Sequence, residues 1–171
     1  MSSSDRLWID LVLRFAIQSH CRSRQVGAIL VKDGRQVVQA WNGAPQGCDE
    51  RKCIRCNMKD SGKEIPSGTS LELSICAHAE ANLLANANQL GIQTKGATMY
   101  CTNKPCGECA KLISRAGIKE VGYISFYHSE YTDMIFKKAK IKCFRLKDER
   151  NDHGNESISD WWSWVHRFPV M

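Results

Sequence analysis

Residues 78–80 read His-Ala-Glu, and residues 105–109 read Pro-Cys-Gly-Glu-Cys. Together they restrict the fold more than anything else in the chain. Zinc in a catalytic site takes three protein ligands and keeps one position open. Neutral imidazole and thiolate both suit it. His78, Cys106 and Cys109 supply one imidazole and two thiols. If they hold one ion, segments far apart in sequence must converge on a point. Cys106 and Cys109 are three apart at a predicted helix start, so they share one side of one turn. His78 opens a different predicted helix. The unpaired N–H groups and dipole of a helix N-terminus favour thiolates there. Pro105 has no N–H and suits a first-turn position where no intrahelical bond is available. Glu80 is two residues from His78 and is not needed as a ligand; its chemistry would be proton transfer. In the alternative structural reading His78 caps a helix, Glu80 is a surface charge and the cysteines are core residues. The proline, the His-x-Glu and the intervening predicted strand together weigh against it.

The elements around these motifs alternate. Helical spacing of Leu7, Leu11 and Phe15 with Trp8 and Val12 predicts a helix from about residue 5 to 19. Residues 26–31 and 36–41 read as strands joined at Asp33-Gly34, a pair that tolerates the positive φ angles of a tight hairpin turn. Residues 42–75 carry several glycines and prolines, three cysteines and many charges, with no sustained period. A loop of that length is usually functional or tied down. Beyond it the expected order is helix 78–90, strand 97–102, helix 106–116, strand 120–126, helix 129–139 and strand 141–146. Strand-helix-strand alternation implies a parallel sheet segment with helices packed on it. One domain, residues 1–146, is expected. Residues 147–171 form a tail ending in a tryptophan-rich stretch, Trp161, Trp162 and Trp164, that could be a short helix docked on the domain or at a subunit interface.

Nine cysteines in 171 residues need either an oxidising compartment or a metal. Residues 1–10 include acidic residues and no apolar core of signal-peptide length, and no apolar run approaches membrane-spanning length. A soluble, cytoplasmic, metal-binding protein is the expectation. The net charge of +6 allows nucleic acid, a phosphorylated small molecule or a solvated surface, and does not choose among them.

The His-x-Glu and Pro-Cys-x-x-Cys pattern is that of the zinc nucleobase deaminases. The chain resembles the cytidine deaminase-like zinc enzymes and, within them, the deoxycytidylate (dCMP) deaminases. The resemblance runs from about residue 16 to 146. It includes Val26-Gly27-Ala28-Ile29-Leu30-Val31, Trp41-Asn42-Gly43-Ala44-Pro45-Gln46-Gly47, Gly96-Ala97-Thr98-Met99-Tyr100-Cys101-Thr102, and Ala110-Lys111-Leu112-Ile113 with Ala116-Gly117-Ile118-Lys119. It implies a three-layer α/β/α fold with a mixed five-stranded sheet. It implies hydrolysis of dCMP to dUMP and ammonia, with Glu80 moving a proton from water to the ring nitrogen and then to the leaving group. It implies homo-oligomers, hexamers or dimers, and dCTP and dTTP as effectors. By position, Asn42 would bond the sugar, while Arg24, Ala79 and Tyr127 would help form the nucleotide pocket. The dCTP and modified-cytosine nucleotides remain alternatives at this stage. So do an editing enzyme acting on cytosine or adenosine in single-stranded DNA or RNA, and a non-catalytic zinc module. The match at residues 42–47 favours the free nucleotide, so nucleic acid is not the expected partner.

The same resemblance implies a second, structural zinc, since some family members carry one near the long loop. Its pattern best matches Cys21, Cys48, Cys53 and Cys76, with Cys56 as the substitute. Cys53-Ile54-Arg55-Cys56 is itself a C-x-x-C, so Cys53 and Cys56 could exchange, or both could bind with Cys21 as the spare. Cys101 and Cys143 read as core residues. Arg51, Lys52, Arg55 and Lys59 form a basic cluster that could meet phosphates or be a solvated face. His128 has the best claim among the remaining histidines, His20, His153 and His166 included, though a bland role is expected for all four.

Overall fold

A computed structural model describes residues 3–66, 69–127 and 129–146. His128, His153, His166 and the tryptophan-rich tail lie outside the described residues. The chain forms helix α1 (Ser3–Ala16), strands β1 (Gly27–Lys32) and β2 (Arg35–Trp41), helices α2 (Ile54–Asp60) and α3 (Ala79–Gln89), then β3 (Thr98–Asn103), α4 (Gly107–Arg115), β4 (Glu120–Ser125), α5 (Glu130–Lys138) and β5 (Lys142–Arg145). The strands make one mixed sheet in the order β2-β1-β3-β4-β5. β1 is antiparallel to both β2 and β3, while β3, β4 and β5 are parallel. This is the three-layer arrangement that the resemblance implies. No described helix is long and apolar enough to cross a membrane.

Alternation along β1 divides the core. Ala28 and Leu30 face one side, with Met99, Cys101 and Val121, and are covered by α3, α4 and Phe136 of α5. Ile29 and Val31 face the other side, where Tyr100 and Ile124 meet Trp8, Ile9, Val12 and Leu13 of α1. Covered on both faces, β1 reads in sequence as a continuous apolar run rather than an alternating one. Its hairpin to β2 turns through Asp33 and Gly34, at φ 51° and 72°, the left-handed pair that the Asp-Gly signal predicts.

Most boundaries fall within a few residues of the sequence expectation. The departure is residues 42–75, which are not structureless. They hold α2 and two short 3₁₀ turns, Glu50–Lys52 and Leu71–Leu73. A seven-residue helix is too short to show a clear hydrophobic period. Its N-cap, Cys53, makes no side-chain cap bond, so no capping signal marks it either.

The antiparallel β1–β3 register, with Ala28 opposite Cys101, has a consequence for the site. It brings the segment entering β1 beside the segment leaving β3, and the Gly27 amide donates to Thr102 Oγ1 at 3.2 Å. β4 ends at the same edge, because it runs parallel to β3. The carboxyl ends of parallel strands are where ligand sites form in such sheets.

Gly27 also sets how closely α1 approaches. A Cβ there would lie 2.3 Å from the Val12 carbonyl oxygen and 2.7 Å from the Ala16 nitrogen. Both are backbone atoms, so α1 itself would have to move. Gly27→Ala is therefore expected to destabilise the protein by about 1–3 kcal/mol, lowering Tm by several degrees. An unchanged Tm in a thermal melt would show that α1 is not seated against this strand.

Candidate active site

Two helix starts meet at the carboxyl edge of β3. His78 is the N-cap of α3 and Cys106 the N-cap of α4, both in extended backbone conformation with no side-chain cap bond. Their side chains are thus left to meet one another. His78 Nδ1 lies 3.4 Å from Cys106 Sγ and 3.3 Å from Cys109 Sγ. Among the described residues, these make up the group of three or more candidate ligands whose atoms all lie within 4.8 Å of one another. Zinc with ordinary Zn–S and Zn–N bonds and tetrahedral angles places N and S ligands about 3.6 Å apart. The trio is therefore within a few tenths of an ångström of the geometry it would have around zinc.

The protonation pattern fits the same purpose. Cys106 is pulled down to about 4, chiefly by a hydrogen bond from Cys109 and, against the cost of burial, by His78. Cys109 is pushed up, first by that bond to Cys106 and then by burial. Both thiols must be deprotonated to bind a zinc ion, which therefore releases protons as it binds. Glu80, in the first turn of α3, is 4% exposed. Burial raises its carboxyl above the ordinary range, while its backbone hydrogen bond and His78 oppose the rise. A carboxyl so placed can both accept and return a proton.

Beside this trio opens a cleft lined by His78, Glu80 and Cys106 and also by Arg24, Asn42, Ala79 and Tyr127. All four expected pocket residues are therefore gathered on it. Asn42 is buried, and its side chain is engaged by the backbone. Its Oδ1 accepts from the Val26 amide at 2.7 Å, and its Nδ2 donates to the Arg24 carbonyl at 2.8 Å. The residue that sequence similarity assigns to the sugar thus also pins the segment that carries Arg24. The cleft holds a residue that sequence reading passed over. Lys104, next to Pro105, is almost fully buried and donates to both oxygens of Asp133, at 2.7 and 2.9 Å. Its signal was its place inside the motif, between a strand end and the proline that precedes Cys106.

The remaining cysteines divide in an unexpected way. Hydrogen bonds and close charges link Cys53 to Cys56, and Cys21 to both Cys56 and Cys76. Cys48, expected in that set, is exposed, whereas Cys56 is buried beside Cys53. The reason is α2: Cys53 caps it and Cys56 follows within the first turn, so both thiols point to one side. Cys48 sits earlier, in the turn closed by its amide on the Pro45 carbonyl at 3.0 Å. Burial, then the neighbouring thiols, lift Cys56 to about 11 and Cys76 to about 12. Against the cost of burial, the backbone N–H groups of Cys56 and Ile75 hold Cys53 below its usual value. Cys101 is fully buried and Cys143 partly so, as expected of core residues.

Residues 2–125 match the family described as the cytidine and deoxycytidylate deaminase zinc-binding region. The chain belongs to that family. The deoxycytidylate deaminase of Schizosaccharomyces pombe is 34% identical over 144 residues, 82% of this chain and 43% of that protein. The deoxycytidylate deaminase of Enterobacteria phage T4 is 31% identical over 175 residues, 84% of this chain and 91% of that one. The chain thus spans less than half the length of the fission-yeast relative and nearly all of the phage one. Among solved structures, the dCMP deaminase of cyanophage S-TIM5 in complex with dCMP and dUMP superposes with a TM-score of 0.67. It is 25% identical and covers 85% of this chain, which covers 99% of it. With the His78, Cys106 and Cys109 geometry, membership makes this a zinc-binding domain.

Replacing any one ligand should break the site. His78→Ala and Cys106→Ser are each expected to lower the zinc content of purified protein by about one ion per chain, measured by elemental analysis after dialysis. Unchanged zinc in either variant would show that the ion is held elsewhere.

Proposed function

We propose that this protein is a zinc-dependent hydrolase that deaminates a free deoxycytidine nucleotide, converting dCMP and water to dUMP and ammonia. The observation that carries the reading is the buried Glu80 carboxyl beside His78, Cys106 and Cys109 on a single cleft. A purely structural zinc has four protein ligands and no use for such a carboxylate. Relatives named as deoxycytidylate deaminases, and a fold match to an enzyme bound to dCMP and dUMP, support the choice of substrate.

The residues divide the work. His78, Cys106 and Cys109 hold the zinc, which when bound supplies a Lewis acid that brings the pKa of water toward neutrality. Glu80 takes one proton from the attacking water and passes it to the pyrimidine ring nitrogen; it then takes the remaining proton of the new C4 hydroxyl and delivers it to the amino group, which leaves as ammonia as the carbonyl forms. One carboxyl serves as base and then as acid because the steps follow one another. Burial in α3 keeps it from bulk water between them. Asn42 orients the sugar, and Arg24, Ala79 and Tyr127 shape the nucleotide pocket.

The finer assignments belong to the same reading. A second, structural zinc is held by Cys21, Cys53, Cys56 and Cys76, which are already linked pairwise, Cys53 to Cys56 and Cys21 to Cys56 and Cys76, with Cys48 left out. The enzyme works in the cytoplasm as a homo-oligomer responsive to dCTP and dTTP. Exposed Leu112 on α4 and Tyr131 and Met134 on α5 supply apolar surface for such an assembly.

Ammonia release should follow dCMP, and not a cytosine-containing oligonucleotide; conversion of the oligonucleotide alone would replace the nucleotide reading with an editing one. Glu80→Gln should lower kcat by about 10²–10⁴-fold while the zinc content stays unchanged; full activity in that variant would remove Glu80 from the mechanism. Elemental analysis of active protein is expected to give about two zinc ions per chain, falling by one in Cys56→Ser. One zinc in fully active wild-type protein would eliminate the second site.

A further inference from the structure

We propose that Arg55, assisted by Lys59 one turn along α2, is the residue of the cleft that recognises the 5′-phosphate and so selects nucleotides over nucleosides. This rests on the deaminase reading above and names the feature of the substrate that reading leaves unassigned.

Arg55 is 6% exposed and lines the same cleft as His78 and Glu80. A buried charge is disfavoured unless it is paired. Yet among the described residues no carboxylate forms an ion pair with Arg55. Its acceptors there are neutral: the Thr69 carbonyl at 3.0 Å, the Pro66 carbonyl at 3.3 Å and Ser23 Oγ at 2.8 Å. Other cations nearby are treated differently. Arg51 pairs with Asp49, Arg22 with Asp60, and Lys104, the other buried cation of the cleft, with Asp133.

A second cation adds to the contrast. Lys59 Nζ also donates to Ser23 Oγ, at 3.0 Å. Arg55 and Lys59 are four apart on one helix, a like-charge spacing that destabilises. Both converge on a single hydroxyl, without a carboxylate among the described residues. This arrangement becomes favourable when an anion is present. A guanidinium presents its N–H donors as a planar fork that matches a phosphate bidentately. With three donors held by loop carbonyls and a hydroxyl, the fork is fixed in orientation before the ligand arrives. The structural alternative is that Arg55 only staples residues 66–69 to α2. Such a staple needs hydrogen-bond donors but no charge, and it leaves the converging Lys59 unexplained.

The test uses the zinc-loaded full chain. kcat/KM is measured for dCMP and deoxycytidine, and inhibition for dUMP and deoxyuridine, in wild type, Arg55→Gln and Lys59→Gln. In Arg55→Gln, the preference for dCMP over deoxycytidine is expected to fall roughly 30- to 100-fold, with dUMP affinity falling in parallel and deoxyuridine affinity holding. Lys59→Gln is expected to lower the same preference several-fold. Equal losses on nucleotide and nucleoside in Arg55→Gln would establish the staple and overturn the proposal. Should Arg55→Gln fail to fold, Lys59→Gln decides on the same ratio, and an unchanged preference overturns the proposal. A wild type that neither converts dCMP nor binds dUMP would instead bring down the deaminase reading, and this proposal with it.

Discussion

The structure depends on one meeting point, where the N-termini of α3 and α4 face each other across the width of an imidazole and two thiols. Neither helix could bring its ligands there alone. α4 is placed by β3, because Cys106 follows that strand after a two-residue lead-out in which the Lys104 amide bonds to the Ser125 carbonyl of β4 at 2.9 Å. α3 is placed by packing on β2 and β1 and by the paired backbone bonds between Gly43 and Ala77, 2.9 and 3.2 Å long. The helix starts supply unpaired N–H groups where two thiolates must sit. The same edge receives the segment entering β1, because β1 runs antiparallel to β3. Cleft-lining residues from separate segments, Arg24, Asn42, Ala79 and Tyr127, are thus brought together by sheet topology.

Much of this was legible in the sequence, for identifiable reasons. The Asp33-Gly34 turn, the doubly covered β1 and the proline before Cys106 each leave a local chemical mark. So do the ligands, because imidazole, thiol and carboxylate at fixed short spacings have few other uses. What stayed hidden was non-local. Asn42 looked like a sugar ligand by position, but its grip on the Arg24 carbonyl and the Val26 amide depends on the β1–β2 hairpin closing. Lys104 drew no notice in the sequence, and its pairing with Asp133 depends on α5 packing beside α4. The placement of Cys56 beside Cys53 depends on α2, whose seven residues carry too little periodicity to be seen.

That short helix joins the two halves of the functional reading. Alone it would be marginal, since so few hydrogen bonds cannot repay the cost of nucleation. It persists because side chains on either side of it are tied down. Cys53 and Cys56 are buried against Cys21 and Cys76, while Arg55 reaches the carbonyls of residues 66 and 69. Removing either set leaves the other without its support. The thiol cluster therefore has a role even though it performs no chemistry: it fixes the helix whose next residues carry the cations. Cys76 lies only two residues before His78, so the cluster also borders the zinc-ligating trio through the backbone.

This arrangement explains why so irregular a segment can sit beside an active site that needs accurate placement. A loop of polar residues would be ordered only by its own turns, and would give the cleft a soft wall. Here the wall is built from the buried guanidinium of Arg55 and the partly buried thiols of Cys21 and Cys76, groups that are costly to bury unless they are satisfied. That cost penalises alternative conformations of the loop, because a displaced Arg55 or Cys76 would lose partners it could replace only in water. The ordering energy is thus drawn from the same polar groups that line the cleft, and the segment's irregularity in sequence is compatible with a defined position in space.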